Sequence, residues 1–309
     1  MYLDMQSAFI WELNTIINHG EEVSSRLGDK TKEVLHRSFT IEHPERNLIL
    51  TPHRANNPFA MWAETMWVLA GRNDLAFLNK YLPRATEFSD DGLTWRAGYG
   101  KRLRDWNGID QLQEIVKILQ ADPNSRRAVA VIYDPDRDFI ATKDTPCNDL
   151  LQFLIRDGKL HMSIYIRSND IMWGWSAINS YEWSILQQVL ASILKVEVGQ
   201  VSYFMGSFHI YDRHYGRAKK ILDNATASLY SSDIASIPIK VSSLEELDAK
   251  LRTFFEIEES SKIADPNDYF AVVNNLLLAY RTKNVKLLEY VPTSDMLVVA
   301  LDYAKRNKW

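Results

Sequence analysis

Apolar and polar positions recur along this 309-residue chain with two periods, one typical of helices and one typical of strands. Residues 5–20 carry apolar side chains at helical spacing, and the run from Phe59 to Leu69, introduced by Asn57-Pro58, is typical of a buried helix. The same spacing predicts further helices over residues 109–120, 180–194 and, with few interruptions, 244–309.

Strand signals lie between these helices. Residues 128–133 form a β-branched run typical of a central strand, and residues 201–205 form a second strand. Asp157-Gly158 is a tight-turn signal that predicts a hairpin between residues 150–156 and 160–167.

The second strand of this hairpin has one apolar and one polar face, because successive side chains point to opposite sides of a sheet. Its apolar face consists of Leu160, Met162, Ile164 and Ile166. Its polar face consists of His161, Ser163, Tyr165 and Arg167. We therefore predict an α/β (α+β) fold with one large mixed sheet flanked by helices, which dimerises through a sheet face.

Composition narrows the range of partners. Hydrophobic residues make up 46% of the chain, which is ample for a large core. The formal charge of −4 gives no overall attraction to nucleic acid or to an anionic membrane, so any phosphate site must come from a local arginine cluster. Residues 1–10 carry no basic flank or long apolar run, and no stretch is long enough to span a membrane. These features predict a soluble cytoplasmic protein with a small ligand.

Cys147 is the only cysteine of the chain. A single cysteine forms no internal disulfide and no thiolate cluster, so no metal site is predicted. A lone cysteine is ordinarily a small buried residue. Here Pro146 precedes it and polar Asn148 and Asp149 follow it, which places the thiol at the mouth of a strand. Arginines nearby would lower its pKa toward the reactive thiolate, as expected for a nucleophile beside an anion site.

Other candidates are weak when taken singly. Glu64 lies within an apolar helix, where a carboxyl group is solvent-facing, paired, or tuned for acid–base chemistry. The Arg126-Arg127 pair is equally consistent with a solvated loop. His209 and Tyr211 share one face of a strand, for which a structural pair is the ordinary explanation.

The joint order of these residues resembles the thymidylate synthase family, including its pyrimidine-nucleotide hydroxymethylase branch. The resemblance covers residues 1–257, which we predict to be the catalytic domain, with residues 258–309 as an added helical C-terminus packed on it. The matching pieces are Arg26, Glu64, Tyr99-Gly100-Lys101, Ser125-Arg126-Arg127, Pro146-Cys147, Gln152-Phe153, Arg167-Ser168-Asn169-Asp170, Gly174 and His209-Ile210-Tyr211.

The resemblance implies a catalytic role for four of these residues. Cys147 corresponds to the nucleophile that adds to C6 of a pyrimidine nucleoside monophosphate, which makes C5 attack a one-carbon unit from 5,10-methylenetetrahydrofolate. Glu64 and Tyr99 correspond to residues of the proton-transfer network. Asp170 corresponds to the aspartate that contacts the pterin.

The resemblance also implies the binding residues. The phosphate clamp consists of Arg26, Arg126, Arg127, Arg167 and Ser168. In the family the adjacent arginine pair comes from a second subunit, which implies a homodimer with shared active sites. His209 and Tyr211 correspond to the pair that binds the sugar, and Asn179 or Ser180 is the candidate reader of the base.

The chain departs from the synthase pattern at four places. Asn148 stands where synthases have histidine, and Phe88 is the only aromatic residue where they have a folate-side tryptophan pair. The base-reading segment after Gly174 is spaced differently, and helical sequence replaces the short family C-terminus that closes over the folate. These departures favour water over hydride as the group that reacts with the methylene intermediate.

We therefore predict hydroxymethylation at C5 of a pyrimidine nucleotide, with CMP or dCMP favoured over uracil nucleotides. The close alternative is reductive methylation of dUMP or UMP, in which dihydrofolate accompanies the product. A distant alternative is an inactive nucleotide-binding homologue.

Overall fold

The structure is a computed structural model that describes residues 1–24, 28–232 and 234–309. Arg26 lies outside the described residues. The strands are β1 Glu21–Ser24, β2 Lys30–Ile41, β3 Val129–Val131, β4 Asn148–Arg156, β5 Lys159–Asp170 and β6 Glu197–Tyr211. The helices are α1 Met5–His19, α2 Pro58–Leu69, α3 Leu75–Leu78, α4 Tyr99–Arg104, α5 Gln111–Ala121, α6 Pro135–Asp138, α7 Ser180–Leu194, α8 Tyr215–Asp223, α9 Leu244–Ser260, α10 Tyr269–Thr282 and α11 Asp295–Arg306.

The strands form one six-stranded mixed sheet in the order β1-β2-β6-β5-β4-β3, which confirms the predicted α/β class. Neighbouring strands are antiparallel except for β5 and β6, which are parallel. Parallel neighbours need a crossover, and here a π-helical segment, Ile171–Asn179, followed by α7 provides it.

The predicted hairpin is confirmed. Asp157 and Gly158 have φ values of 50° and 72°, as a type I′ turn between β4 and β5 requires. Leu160, Met162, Ile164 and Ile166 are all buried, and Arg167 on the other face is exposed. Alternation along the sequence therefore identified the two faces of β5 correctly.

The prediction of a central strand over residues 128–133 is wrong. Only Val129–Val131 form a strand, and β3 lies at the edge of the sheet beside β4. The Gln111 side chain accepts from the Val131 N–H and donates to the Val131 oxygen, both at 2.8 Å, and so covers this edge. An edge capped by a side chain tolerates the same β-branched residues as a central strand, so the sequence pattern does not separate the two.

Helices α1 and α7 pack against β2, β5 and β6 and form the core on one face of the sheet. Helix α2 is buried along its whole length behind them, and the Asn57 side chain caps it by accepting from the Phe59 N–H at 3.0 Å. We call the opposite side the open face. There the Tyr165 and Phe204 rings stack at 4.8 Å, and Phe204 and Val131 are exposed by 39% and 49%.

The in–out alternation of β6 shifts by one residue near Gly206. Tyr203 and Met205 are buried before this point, whereas Phe208 and Ile210 are buried after it. His36, in the facing part of β2, has a φ of 53°, as expected where the strand is locally distorted. The shift turns the later polar residues of β6 toward the open face.

The C-terminal helices pack on α2 around the ring of Phe59. The rings of Tyr280, Tyr303 and Trp309 lie 4.9, 5.2 and 5.4 Å from it. Helix α9 continues through the predicted domain boundary after residue 257 and ends at Ser260. The division into two domains remains a prediction. None of the described helices is long and apolar enough to cross a membrane.

Candidate active site

Cys147 lies at the entrance to β4, beside the guanidinium of Arg167 on β5. The Arg167 N–H donates to the Cys147 oxygen at 3.0 Å. The Arg167 side chain donates from Nε to the Pro146 oxygen at 2.7 Å and from Nη2 to the Thr145 oxygen at 3.0 Å. Its Nη2 also lies 3.8 Å from Cys147 Sγ. One arginine therefore fixes the backbone around the thiol and faces the sulfur.

Burial raises the pKa of the Cys147 thiol above its ordinary value. The positive charge of Arg167 acts in the opposite direction, while Asp144 and Asp149 add to the increase. The lowered pKa expected from the sequence is therefore wrong for the free chain, because desolvation outweighs one nearby guanidinium. Nucleophilic attack from this position needs a group that takes the thiol proton.

Tyr99 begins α4 and is held close to Cys147. The Asp144 carboxylate accepts from the Ala97 N–H at 2.8 Å, which ties the start of α4 to the segment before β4. The Tyr99 ring lies 5.4 Å from that of Trp183, whose Nε1 donates to Asn148 Oδ1 at 3.1 Å. Burial raises the pKa of Tyr99 well above its ordinary value, so its hydroxyl keeps its proton.

Two buried carboxyl groups face this region from α2 and α7. Glu64 is only 7% exposed, and burial raises its pKa to about 8. Glu182 is 1% exposed, and its pKa is raised well above the ordinary value by burial first and by Glu64 second. The sequence predicted Glu64 but missed Glu182. The signal was present, because Glu182 also interrupts an otherwise apolar stretch of its helix.

Ser168, Asp170, His209 and Tyr211 lie together where β5 and β6 end. Asp170 pairs with His209 in this parallel pair of strands, and Ser168 pairs with Ser207. The His209 and Tyr211 rings are 5.3 Å apart. The shift in alternation places these side chains on the open face, so the structure brings four of the predicted residues together.

Two titratable groups of this cluster have shifted pKa values. Burial raises the pKa of Asp170 to about 6, although its carboxylate accepts from the Met172 N–H at 2.9 Å. Burial lowers the pKa of His209, against the opposing effect of Glu33. At neutral pH His209 is therefore a neutral imidazole, which suits hydrogen bonding to a hydroxyl group.

The predicted base readers lie in the crossover between β5 and α7. Asn179 ends the π-helical segment and Ser180 begins α7, and both are buried. Ser180 Oγ and Asn169 Nδ2 have no hydrogen-bond partner within the described ranges. A Cβ atom added at Gly174 would lie 2.4 Å from Asn169 Oδ1, so a larger residue there would displace the Asn169 side chain. Such unmade hydrogen bonds around a π-helix are typical of a ligand site.

Arg126 and Arg127 are not brought to this cluster within one chain. They precede β3, and the Gln152 side chain donates to the Arg126 oxygen at 3.2 Å. Gln152 is four residues along β4 from Asn148, which is about 13 Å at the usual strand rise. Both arginines are exposed. Their predicted contact with the nucleotide therefore depends on a second subunit.

The segment expected to form the folate wall is a short 3₁₀ helix that ends at Phe88, whose ring is 50% exposed. Just after it, Asp90 accepts from the Lys143 N–H at 3.0 Å, which ties the segment to the chain before Cys147. Trp173, beside Asp170, is 44% exposed. The exposed Trp173 ring and the neighbouring Asp170 carboxyl group, whose pKa is raised, fit a bound pterin.

This arrangement is suited to conjugate addition. A thiol beside a guanidinium can add to an electron-poor double bond of a planar ring, and the buried acids Glu64 and Tyr99 can exchange protons with that ring. The polar groups at the ends of β5 and β6 suit the sugar of a nucleotide. The geometry supports nucleophilic catalysis on a small heterocycle.

Comparisons with known proteins agree with this geometry. The family model described as thymidylate synthase matches residues 7–261. A deoxyuridylate hydroxymethyltransferase of Bacillus phage SP01 is 37% identical over 277 residues, which cover 86% of this chain and 71% of that protein. Proteins of the same name from Pseudomonas phage M6 and Delftia phage PhiW-14 are 32% and 28% identical, over 72% and 78% of this chain and 67% and 71% of their own lengths.

The matched range includes every described residue of the candidate site, from Glu64 to Tyr211. The resemblance inferred from the sequence is thereby confirmed. The chain belongs to the thymidylate synthase family, and it is a one-carbon transferase that uses methylenetetrahydrofolate as donor and a pyrimidine nucleotide as acceptor.

Proposed function

We propose that this chain is a 5-hydroxymethyltransferase of a pyrimidine nucleoside monophosphate, with deoxyuridylate as its first candidate substrate. The observation that carries the proposal is the 37% identity to the phage SP01 deoxyuridylate hydroxymethyltransferase over 86% of this chain. The preference for CMP or dCMP remains a prediction, which the experiment below also tests.

In the proposed reaction Cys147 is the nucleophile. Its sulfur bonds to C6 of the base while the electrons of the C5–C6 double bond move toward the C4 oxygen, so that C5 becomes nucleophilic. Methylenetetrahydrofolate supplies the one-carbon unit that C5 attacks. Arg167 stabilises the thiolate at 3.8 Å, and Tyr99 and Glu64 exchange protons with the ring. The C5 proton and tetrahydrofolate then leave, which forms an exocyclic methylene group. Water adds to this group, and the sulfur–C6 bond breaks to release the nucleotide.

Water, rather than hydride, is proposed to complete the reaction. Hydride transfer needs the reduced pterin to be held in a near-attack geometry, since positioning supplies much of such a rate. Phe88 is the single aromatic side chain of the wall segment, and half of its surface is free. The C-terminal residues pack into the aromatic cluster around Phe59 on α2. These features support capture by water.

We also propose a homodimer formed through the open face. The stacked Tyr165 and Phe204 and the exposed Val131 give this face an apolar surface that a second copy would cover. Arg126 lies at the rim of the same sheet, beyond reach of its own Cys147. A dimer of this kind would let Arg126 and Arg127 of one subunit complete the phosphate clamp of the other.

The product distinguishes the hydroxymethyltransferase from a synthase. With dUMP, UMP, dCMP or CMP and methylenetetrahydrofolate in oxygen-18 water, we expect one 5-hydroxymethyl nucleotide that carries the heavy oxygen. The same incubation of methylenetetrahydrofolate without enzyme controls for exchange of the one-carbon donor during the reaction time. No absorbance increase from dihydrofolate is expected.

A 5-methyl nucleotide formed with an equal amount of dihydrofolate would instead support the reductive reaction for which the family is named. Turnover of cytosine nucleotides alone would move the substrate from deoxyuridylate to cytidylate or deoxycytidylate. Absence of any turnover in the panel would contradict both reactions.

Substitution of the arginines tests the phosphate clamp. Arg126→Ala and Arg167→Ala are each expected to weaken monophosphate binding by ~1.5–3 kcal/mol, the usual range for hydrogen bonds to charged groups. Nucleoside binding should change much less. Calorimetric titration with nucleotide and nucleoside measures both affinities, and Arg306→Ala, on the exposed end of α11, is the control.

Equal losses for nucleotide and nucleoside would show that these arginines support the fold. Shared sites predict in addition that a mixture of the Arg126→Ala and Cys147→Ser proteins regains activity through hybrid dimers. Mixtures that stay as inactive as their components would contradict the shared site.

A further inference from the structure

Glu182 is an ionisable side chain in a part of α7 that is buried on all sides. Its neighbours Tyr181 and Trp183 are 2% and 0% exposed, and Glu182 itself is 1% exposed. Among the described residues its carboxyl oxygens have no hydrogen-bond partner of good geometry, and the Asn179 amide is the one neighbouring donor that acts on them. Burial of a polar group without a partner costs folding free energy, so such a group is usually retained because it has a function or meets a ligand.

The groups that face Glu182 come from two other helices. Glu64 faces it from α2, which packs directly on α7, and Tyr99 faces it from α4. Tyr99 in turn interacts with Cys147 and Asp144. Among the described residues no cationic side chain contributes to the electrostatics of Glu182, and only the Asn179 amide opposes the effect of burial.

Two other deeply buried glutamates, Glu12 and Glu258, are paired with cations. Glu12 has 0% side-chain exposure and accepts from Arg37 Nε at 2.7 Å. Glu258 has 1% side-chain exposure and lies 2.9 Å from Lys80 Nζ and 3.0 Å from Arg281 Nη1. Glu182 is equally buried but faces a second carboxyl group. An ionised Glu182 would therefore be an uncompensated buried charge, which proteins avoid.

We propose that Glu182 is a positioning residue of the active site, a neutral carboxylic acid that hydrogen-bonds to Glu64, so that both carboxyl groups of this pair carry a proton at neutral pH. Two adjacent buried carboxyl groups titrate as a unit, because the loss of one proton raises the cost of losing the second. We call Glu64 and Glu182 the acid pair.

The role of the acid pair in catalysis rests on the proposed function. When the Cys147 sulfur bonds to C6, negative charge develops on the C4 oxygen of the base. One proton of the acid pair moves to that oxygen, and the proton of the Cys147 thiol takes its place on the pair. When the sulfur–C6 bond breaks, the electrons return to the C5–C6 bond, the proton on the oxygen returns to the pair, and the pair returns a proton to the thiolate. No oxidant or reductant is involved.

Proton release on unfolding tests the acid pair without any catalysis. A glutamate in the unfolded chain has a pKa near 4.5, and burial raises that of folded Glu64 to about 8. Between these two pKa values the folded state holds more protons than the unfolded state. The stability conferred by the neutral pair is therefore fully present below pH 4.5 and is lost as the pH rises through the folded pKa. Glu182→Gln should release about one proton fewer than wild type on unfolding at neutral pH.

The matched control is Gln187→Met, on the same helix. Gln187 is fully buried and donates to the backbone oxygens of Leu160 and Gly199, so its loss disturbs the packing of α7 without removing an acid. Its proton release should equal that of wild type. The slope of unfolding free energy against pH gives the number of protons released on unfolding, which we call the proton number, for wild type, Glu182→Gln and Gln187→Met. An unchanged number in Glu182→Gln would overturn the acid pair.

A second measurement tests the positioning role. Release of the C5 hydrogen of the nucleotide to solvent is followed against pH for Glu182→Gln and Glu182→Leu. Leucine removes the hydrogen-bond donor to Glu64, so kcat should fall by ~10-fold or more with a small change in KM. The alkaline limb of the pH profile of kcat should move to higher pH, because a carboxylate that loses a donor has a higher pKa. Glutamine retains an N–H donor and should recover part of this loss.

The outcomes separate this inference from the proposed function. An unchanged kcat and pH profile in Glu182→Leu would overturn the positioning role, even if the proton number behaves as expected. A proton number lower by one in Glu182→Gln, in a protein that turns over no pyrimidine nucleotide, would support the acid pair and contradict the proposed function.

Discussion

Replacement of Cys147 by serine is expected to lower turnover by at least ~10³-fold, the scale on which loss of a catalytic nucleophile is felt. A serine hydroxyl has nearly the same size, but it ionises far less readily than a thiol and is a weak nucleophile without an adjacent base. Nucleotide affinity should change little, because Arg167 is held by the oxygens of Thr145 and Pro146. Single-turnover kinetics and calorimetry measure the two quantities.

The single cysteine offers an internal check on this result. One equivalent of an alkylating reagent should label the wild-type chain, and bound nucleotide should protect it. Labelling should be slow at neutral pH, because burial raises the pKa of the thiol. Near-normal turnover of Cys147→Ser would show that covalent addition to the base is not part of the reaction.

Replacement of Glu64 by glutamine is the second large effect that we expect. Glutamine keeps the shape of the side chain but cannot exchange a proton, so kcat should fall by ~10²–10⁴-fold, the usual contribution of general acid–base catalysis. Thr65→Val is the control on the same helix, because the Thr65 hydroxyl donates to the Met61 oxygen within α2. Nucleotide affinity should be similar in both proteins.

The pH dependence of stability gives the Glu64→Gln prediction a second readout. Because burial raises the pKa of Glu64 to about 8, wild type loses stability as the pH rises from 4.5 through that value. The glutamine variant lacks this loss, so its stability relative to wild type should increase across the same range. Denaturant unfolding at a series of pH values measures it. A constant difference would show that Glu64 is ionised throughout.

Local patterns in the sequence determined much of the fold. Period-two alternation identified the two faces of β5, and Asp157-Gly158 identified its hairpin, because both depend on side chains that are near neighbours in the chain. The apolar run after Asn57-Pro58 identified α2 in the same way. The order of short motifs identified the family.

Tertiary structure decided the properties that depend on distant neighbours. The position of β3 at the sheet edge depends on Gln111, and the raised pKa of Cys147 depends on burial that outweighs Arg167. The sequence showed that Glu64 and Glu182 are carboxylates in apolar helices. The packing of α2 on α7 brought them together, and no cationic side chain among the described residues contributes to the electrostatics of Glu182. Electrostatic energy depends on distance and burial, which the order of residues does not specify.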